Sequence, residues 1–286
     1  MVALRNYLQT YLTGWRADLD PDWRAFFDGV EPHFPAIPAG LQFDSSHPVI
    51  PPRRNVTLPG APAGAHVFRA FDLINPADVK IVLIGQDPYP RVSRATGRAF
   101  EDGAMADWNG VVAVSLQRIV QSAVALRYGR PDFDAPAAGW EVVRSALGRG
   151  EIELEPLGSY FDRLQSSGML FVNAGWTLTR YVPGGGEEQK GHIAMWRPLM
   201  QRLLQGLALR DQRPTVFLLL GGFAQKLFAA TGVEAAARDA GTWHQIRTIS
   251  HPHPSAIGPK GYLASGNPLK KVNAALAELG LPGMDW

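Results

Sequence analysis

Cysteine is absent from all 286 residues. That one absence removes disulfides, iron–sulfur clusters, thiolate zinc sites and cysteine nucleophiles. An excess of charge is lacking too. Lysine and arginine total 28 against 26 aspartates and glutamates, a net of +2, so the average does not advertise a nucleic-acid surface, although it can hide a local basic face. No apolar run reaches the roughly 18 residues of a membrane span. The segment Met1 to Trp15 mixes Arg5, Asn6, Gln9 and Thr10 with apolar residues. It reads as a short amphipathic helix rather than a signal-peptide core, and a cytoplasmic protein without membrane contact is expected.

What is present is proline, unevenly spread. Pro32, Pro35, Pro38, Pro48, Pro51, Pro52, Pro59 and Pro62 break any regular element over 31–65. Phe34, Ile37, Phe43, Val49 and Ile50 give that stretch apolar anchors, so it reads as an arm wrapped on a domain. Beyond it, four short apolar runs read as buried strands: Val79–Ile84, Met169–Asn173, Thr215–Leu220 and Gln245–Ser250. Between them lie helical faces such as Leu116, Ile119, Val120, Ala123 and Leu126, and Ile193, Trp196, Met200, Leu203 and Leu207. A last helix is capped by Asn267, begins at Pro268 and is ended by Gly280. Strands alternating with helices predict a three-layer α/β/α sandwich around a mainly parallel four-stranded sheet. Length allows one or two domains. The reading is an arm over 1–65 and one domain over 66–286, with an extra Gly/Pro-punctuated excursion at about 129–158.

In such sheets the site forms at the carboxyl ends of the strands. Three ends carry chemistry. The first strand runs into Gly85-Gln86-Asp87-Pro88-Tyr89, where Gly85 permits a sharp turn and Pro88 stiffens the loop. Asp87 is either a held general base and cation stabiliser or a turn residue capping amides. The second ends at Asn173, whose amide can read the edge of a base or can satisfy loop backbone. The fourth enters His251-Pro252-His253-Pro254-Ser255-Ala256, a stiffened loop with two imidazoles. No third ligand lies nearby, so no metal is expected.

Together these motifs, with Gly97-Arg98-Ala99-Phe100 downstream, resemble the uracil-DNA glycosylase superfamily, nearest its uracil-N-glycosylase type. The family's first motif usually reads G-Q-D-P-Y-H and its last H-P-S-P-L-S. Ser115-Leu116-Gln117-Arg118-Ile119 and Gly221-Gly222-Phe223-Ala224-Gln225-Lys226 are similar to further family segments, and the likeness runs from about Val79 to Leu279.

The resemblance implies hydrolysis of the N-glycosidic bond of uracil flipped out of DNA, with no metal or cofactor. Asp87 would position water and stabilise the sugar cation. His251 would hydrogen-bond uracil O2. Asn173 would read N3–H and O4, Phe100 would stack on the base, and Tyr89 would exclude thymine's methyl group. Gln86 would add a backbone amide. Ser115, Gly221, Gly222, His253 and Ser255 would meet the DNA backbone. Apart from the resemblance, Arg91, Arg94 and Arg98 cluster just beyond the first motif; each alone reads as a solvated surface arginine, and together beside Asp87 they favour phosphate contact. Arg53-Arg54 and Lys270-Lys271 are weaker candidates. Partners implied are uracil-containing DNA, single- or double-stranded, and no second copy of the chain.

Several positions depart from the family pattern. Pro90 replaces a histidine, Ala113-Val114-Ser115 replaces a proline-rich loop, and Gly221-Gly222 stands for Gly-Ser. Ser255 falls at the place of the leucine that wedges into the hole left by the flipped base. Serine fills it poorly, with Ile257 or His253 as partial substitutes, which predicts a weaker advantage on duplex than on single strands. Rival readings are a mismatch or damaged-base glycosylase and a non-catalytic DNA-binding relative. Sugar-nucleotide hydrolysis would need a second carboxylate that the motifs do not supply.

Overall fold

The computed structural model describes residues 2–286; Met1 lies outside it. Four parallel strands form one sheet in the order β2-β1-β3-β4: β1 (Ile81–Gly85), β2 (Met169–Asn173), β3 (Thr215–Leu220) and β4 (Ile246–His251). The α/β fold and parallel sheet agree with the sequence reading. Strands β1, β2 and β3 are buried at every position, as expected of chain covered on both faces. Edge strand β4 alternates, and it runs one residue further than expected, through His251.

Alternate side chains supply two cores. Val82, Ile84, Leu170, Phe217 and Leu219 face α6 (Glu187–Ala208), α7 (Gly222–Ala230) and α8 (Val233–Asp239). Ile81, Leu83, Phe171, Val216 and Leu218 face α3 (Val114–Arg127), α4 (Glu141–Gly148), α5 (Leu157–Ser166) and α9 (Pro268–Glu278). Helix α9 starts as its sequence implies, with the Asn267 side chain accepting from Leu269 N and Lys270 N. The 129–158 excursion contains α4 and buries Phe133, Trp140, Val143 and Ile152. Each such side chain contributes roughly 1.5–3 kcal/mol of burial.

The N-terminal stretch shares the first core. Leu4 and Leu8 of α1 (Leu4–Tyr11) and Trp23 of α2 (Pro21–Phe26) pack there, and the Trp23 indole donates to the Ile74 carbonyl at 2.6 Å. In the proline-rich arm Ile37, Val49 and Ile50 are buried, and Phe43 stacks on Tyr7. Ile50 bridges Leu178, which ties the arm to the loop after β2. No helix among the described residues is long and apolar enough to cross a membrane.

Candidate active site

The carboxyl ends of β1, β2 and β3 and the loop after β4 enclose a cavity of about 390 Å³. Parallel register sets Gly85 of β1 beside Asn173 of β2. The Asn173 amide lies across Gly85, where an added Cβ would meet Asn173 Oδ1 at 2.2 Å. Gly85 is therefore required for space; its φ is not in the left-handed region, contrary to the turn argument. Gly85→Ala should displace the Asn173 amide. A misplacement near 1 Å costs on the order of 10²-fold in rate, so steady-state turnover measured beside a thermal melt should show activity lost well before the fold.

Asp87 follows in the loop, half-buried and facing the same cavity. Burial pushes its carboxyl up to about 6, against the opposing hydrogen bonds of the Gln189 and Gln86 side chains. Gln189 Nε2 donates to Asp87 Oδ2 from the first turn of α6. A buried relay holds that turn. The Trp196 indole donates to Thr177 Oγ1 at 2.8 Å, and Thr177 and Thr179 flank the two His192 nitrogens at 2.9 and 3.0 Å. Thr179 donates onward to Glu188. That bond leaves Thr179 Oγ1 to accept from His192 Nε2–H, so Nδ1 accepts from Thr177. The ring is neutral, its pKa driven down to about 3 by burial.

Tyr89 and Phe100 form the apolar wall. Phe100 sits at φ +67°, rare for a bulky residue, a strain of order 1–3 kcal/mol that the surroundings must hold. They do so through Ala99 N, which donates to Phe171 O of β2, and Tyr89 Oη, which reaches the Phe100 carbonyl at 3.5 Å. The Tyr89 phenol stays neutral, raised to about 12 by burial.

The loop after β4 brings His253 to the cavity, and not His251. His251 still belongs to the strand. Its ring is buried, packs edge-on against Tyr262 and donates from Nε2 to the Tyr262 carbonyl at 2.9 Å. His253 is differently held. Ser255 N donates to its Nδ1 at 3.2 Å and Ser255 Oγ lies 2.7 Å from the same atom. Nδ1 is thus an acceptor, so the neutral ring carries its proton on Nε2. Partial desolvation at the cavity rim lowers the pKa of this otherwise exposed ring and favours that neutral form. Gly221, at φ +89°, allows this approach, since a Cβ there would meet His253 Cβ at 2.8 Å.

A family profile described as the Uracil DNA glycosylase superfamily matches residues 71–277. The chain belongs to that superfamily. Among its relatives are the uracil-DNA glycosylases of Lactococcus lactis subsp. lactis, 29% identical over 226 residues (79% of this chain, 83% of the relative), and of bovine herpesvirus 1.1, 28% identical over 227 residues (79% and 88%). Its fold is shared with mimivirus uracil-DNA glycosylase (TM-score 0.61, 17% identity, 99% of this chain and 93% of that one) and with the UNG of Nitratifractor salsuginis (TM-score 0.59, 20% identity, 99% and 100%).

For a uracil-DNA glycosylase superfamily member, the loop register is the main correction to the sequence reading. The H-P-S-P-L-S pattern fits His253-Pro254-Ser255-Ala256-Ile257-Gly258 as well as it fits the run from His251, and only the former brings a ring to the cavity. Ile257, 81% exposed at the loop tip, then falls at the leucine's place. Ser255 turns its N–H and hydroxyl to His253. Gln86, Asp87, Tyr89, Phe100, Ser115 and Asn173 all line the cavity, and Gly222 opens α7 beside Gly221 with open space above it.

The arginines separate. Arg91 is exposed. Arg94, expected at phosphate, is paired with Asp102 (Nε to both oxygens at 3.0 Å) and stacks on the Tyr89 ring at 4.4 Å. Arg98 is buried between Glu101 and Asp162. Arg53 and Arg54 are paired with Asp18 and Asp72, while Lys270 and Lys271 are exposed. Gln189, Tyr181 and Phe223 line the cavity without having been read from the sequence.

Proposed function

We propose that the chain releases uracil from DNA by hydrolysing its N-glycosidic bond, leaving an abasic site. The observation that carries this is the convergence of Asp87, Asn173, Phe100 and His253 on one cavity with room for a base. The base is extruded from the strand and stacks on Phe100. The Asn173 amide accepts from N3–H and donates to O4. Cytosine presents the reverse pattern and leaves two buried groups mismatched, a discrimination larger than shape alone provides. Tyr89 closes the side where thymine carries its methyl group.

Breaking C1′–N1 leaves positive charge on the sugar and negative charge on uracil. Ionised Asp87 stabilises the first. The second is met by the Nε2–H of neutral His253, the tautomer fixed by Ser255. Water then adds to C1′ and its proton passes to Asp87, while uracil departs as an anion. The test is uracil release from single- and double-stranded oligonucleotides, with alkali-labile breaks as the second readout. Release from uracil DNA and none from thymine or cytosine controls is expected. Release of thymine from mismatches would favour a broader glycosylase, and binding without release a non-catalytic relative.

Ile257 suits the wedge that fills the vacated stack, which reverses the single-strand preference read from Ser255. Ile257→Ala should lower kcat/KM on duplex by about 10-fold, a part of the few kcal/mol that extrusion costs. Single-stranded substrate, with no hole to fill, should change little. Equal losses on both substrates would remove the wedge role. Exposed Arg91 is the phosphate contact in this reading.

A further inference from the structure

We infer that Gln189 is a positioning residue which, together with Asp87, holds the attacking water by both of its protons. The inference rests on the uracil-release reading above. Gln189 is only 3% exposed, yet it lines the cavity. A carboxylate only accepts, so the nitrogen of the Gln189 amide must face Asp87 Oδ2. That fixes the amide and turns Oε1 elsewhere. Gln189 Oε1 is buried and has no hydrogen-bond partner among the described residues, and Asp87 Oδ1 is in the same state. Asp87 Oδ1 lies toward Gly175, where a Cβ would come within 3.3 Å of it.

An unpaired buried acceptor costs roughly 1–3 kcal/mol. Two of them, on side chains already bonded to each other, call for a ligand that donates twice. Water does so with its two O–H groups. Held in that way, its lone pairs are left for C1′. Bond formation from oxygen to C1′ then releases one proton to Asp87 Oδ1, while Gln189 keeps the other O–H oriented and returns unchanged. Gln189 is suited to this because it is neutral and leaves the Asp87 charge for the sugar cation. The His192 relay makes the arrangement rigid by fixing the first turn of α6 through Thr179 and Glu188. Pro90, next to Tyr89, brings no polar side-chain atom that could share the task.

The test compares wild type, Gln189→Leu and Gln189→Glu in single-turnover uracil release on single-stranded DNA between about pH 5 and 9. Leucine keeps the volume and removes donor and acceptor. Its maximal rate should fall by about 10- to 100-fold with substrate affinity nearly unchanged. Its acid limb should move to higher pH, because Asp87 loses a bond that favours its charged form. A loss confined to substrate affinity, with the acid limb unmoved, overturns the inference, as does a wild-type rate. Should the leucine variant melt early, Gln189→Glu decides. Its carboxyl donates to Asp87 only when protonated, so its rate should decline toward alkaline pH where the wild type is flat; a flat profile overturns the inference. A wild-type chain that releases no uracil refutes the functional reading itself, and the inference with it.

Discussion

Asp87→Asn should leave the protein folded and almost inactive, with the single-turnover rate of uracil release reduced on the order of 10³-fold, within the range for losing a positioned base. The substitution keeps shape and keeps an oxygen for Gln189 Nε2 to reach, so the loss isolates charge and basicity. The wild type should also declare the group by pH. Asp87 is pushed up to about 6 by burial, and only its ionised form stabilises a sugar cation. The rate should therefore rise with pH through about 6 and level above it, and the asparagine variant should lose that limb. Stability should move the opposite way. A carboxyl whose folded pKa exceeds its unfolded value stabilises the fold below the unfolded pKa, near 3.8. That contribution is lost as pH rises through about 6. Asparagine has no charge to desolvate, so the variant's Tm should exceed wild type at pH 7 to 8 and the gap should close toward pH 4. A variant that keeps the wild-type rate would remove Asp87 from the chemistry.

The fold was legible where the sequence reports burial directly. Strands β2 and β3 are uninterrupted apolar runs between punctuating residues, and their observed limits coincide with the sequence reading. Strand β4 alternates buried and more exposed positions, unlike the fully buried other edge strand β2, and its end is harder to read. One residue mattered there. Carrying the strand through His251 turns that ring into packing against Tyr262 and moves the loop histidine to His253. Gln189 left a subtler trace. It stands four residues before Ile193 and seven before Trp196, on the same helical stripe, so it is a polar side chain on a buried face. Arg94 and Arg98 are taken up instead by carboxylates that the folded loop and α5 bring to them, Asp102 and Glu101 from the same loop and Asp162 from α5.

The two histidines of the β4 loop should separate cleanly by substitution. His253→Ala should lower the rate of uracil release by roughly 10²–10³-fold, since one donor aimed at developing negative charge is worth about 2.7–4 kcal/mol. The loss should persist across neutral and alkaline pH, because partial desolvation shifts the wild-type ring toward its neutral form and the donor removed is an uncharged N–H. The melt should barely change, because this ring's hydrogen-bond partner is a loop serine at the surface. His251→Ala should do the reverse. It leaves the Tyr262 carbonyl without its donor and opens a void beside the Tyr262 ring, so the fold should lose at least the roughly 1–3 kcal/mol of an unsatisfied buried group. The rate of the folded fraction should fall far less than in His253→Ala. Single-turnover rates and thermal melts on both variants form one experiment. A catalytic collapse in a well-folded His251→Ala, with His253→Ala near wild type, would mean that the family motif begins at His251 after all. The 390 Å³ cavity would then have to change shape on binding DNA to admit a ring now packed against Tyr262.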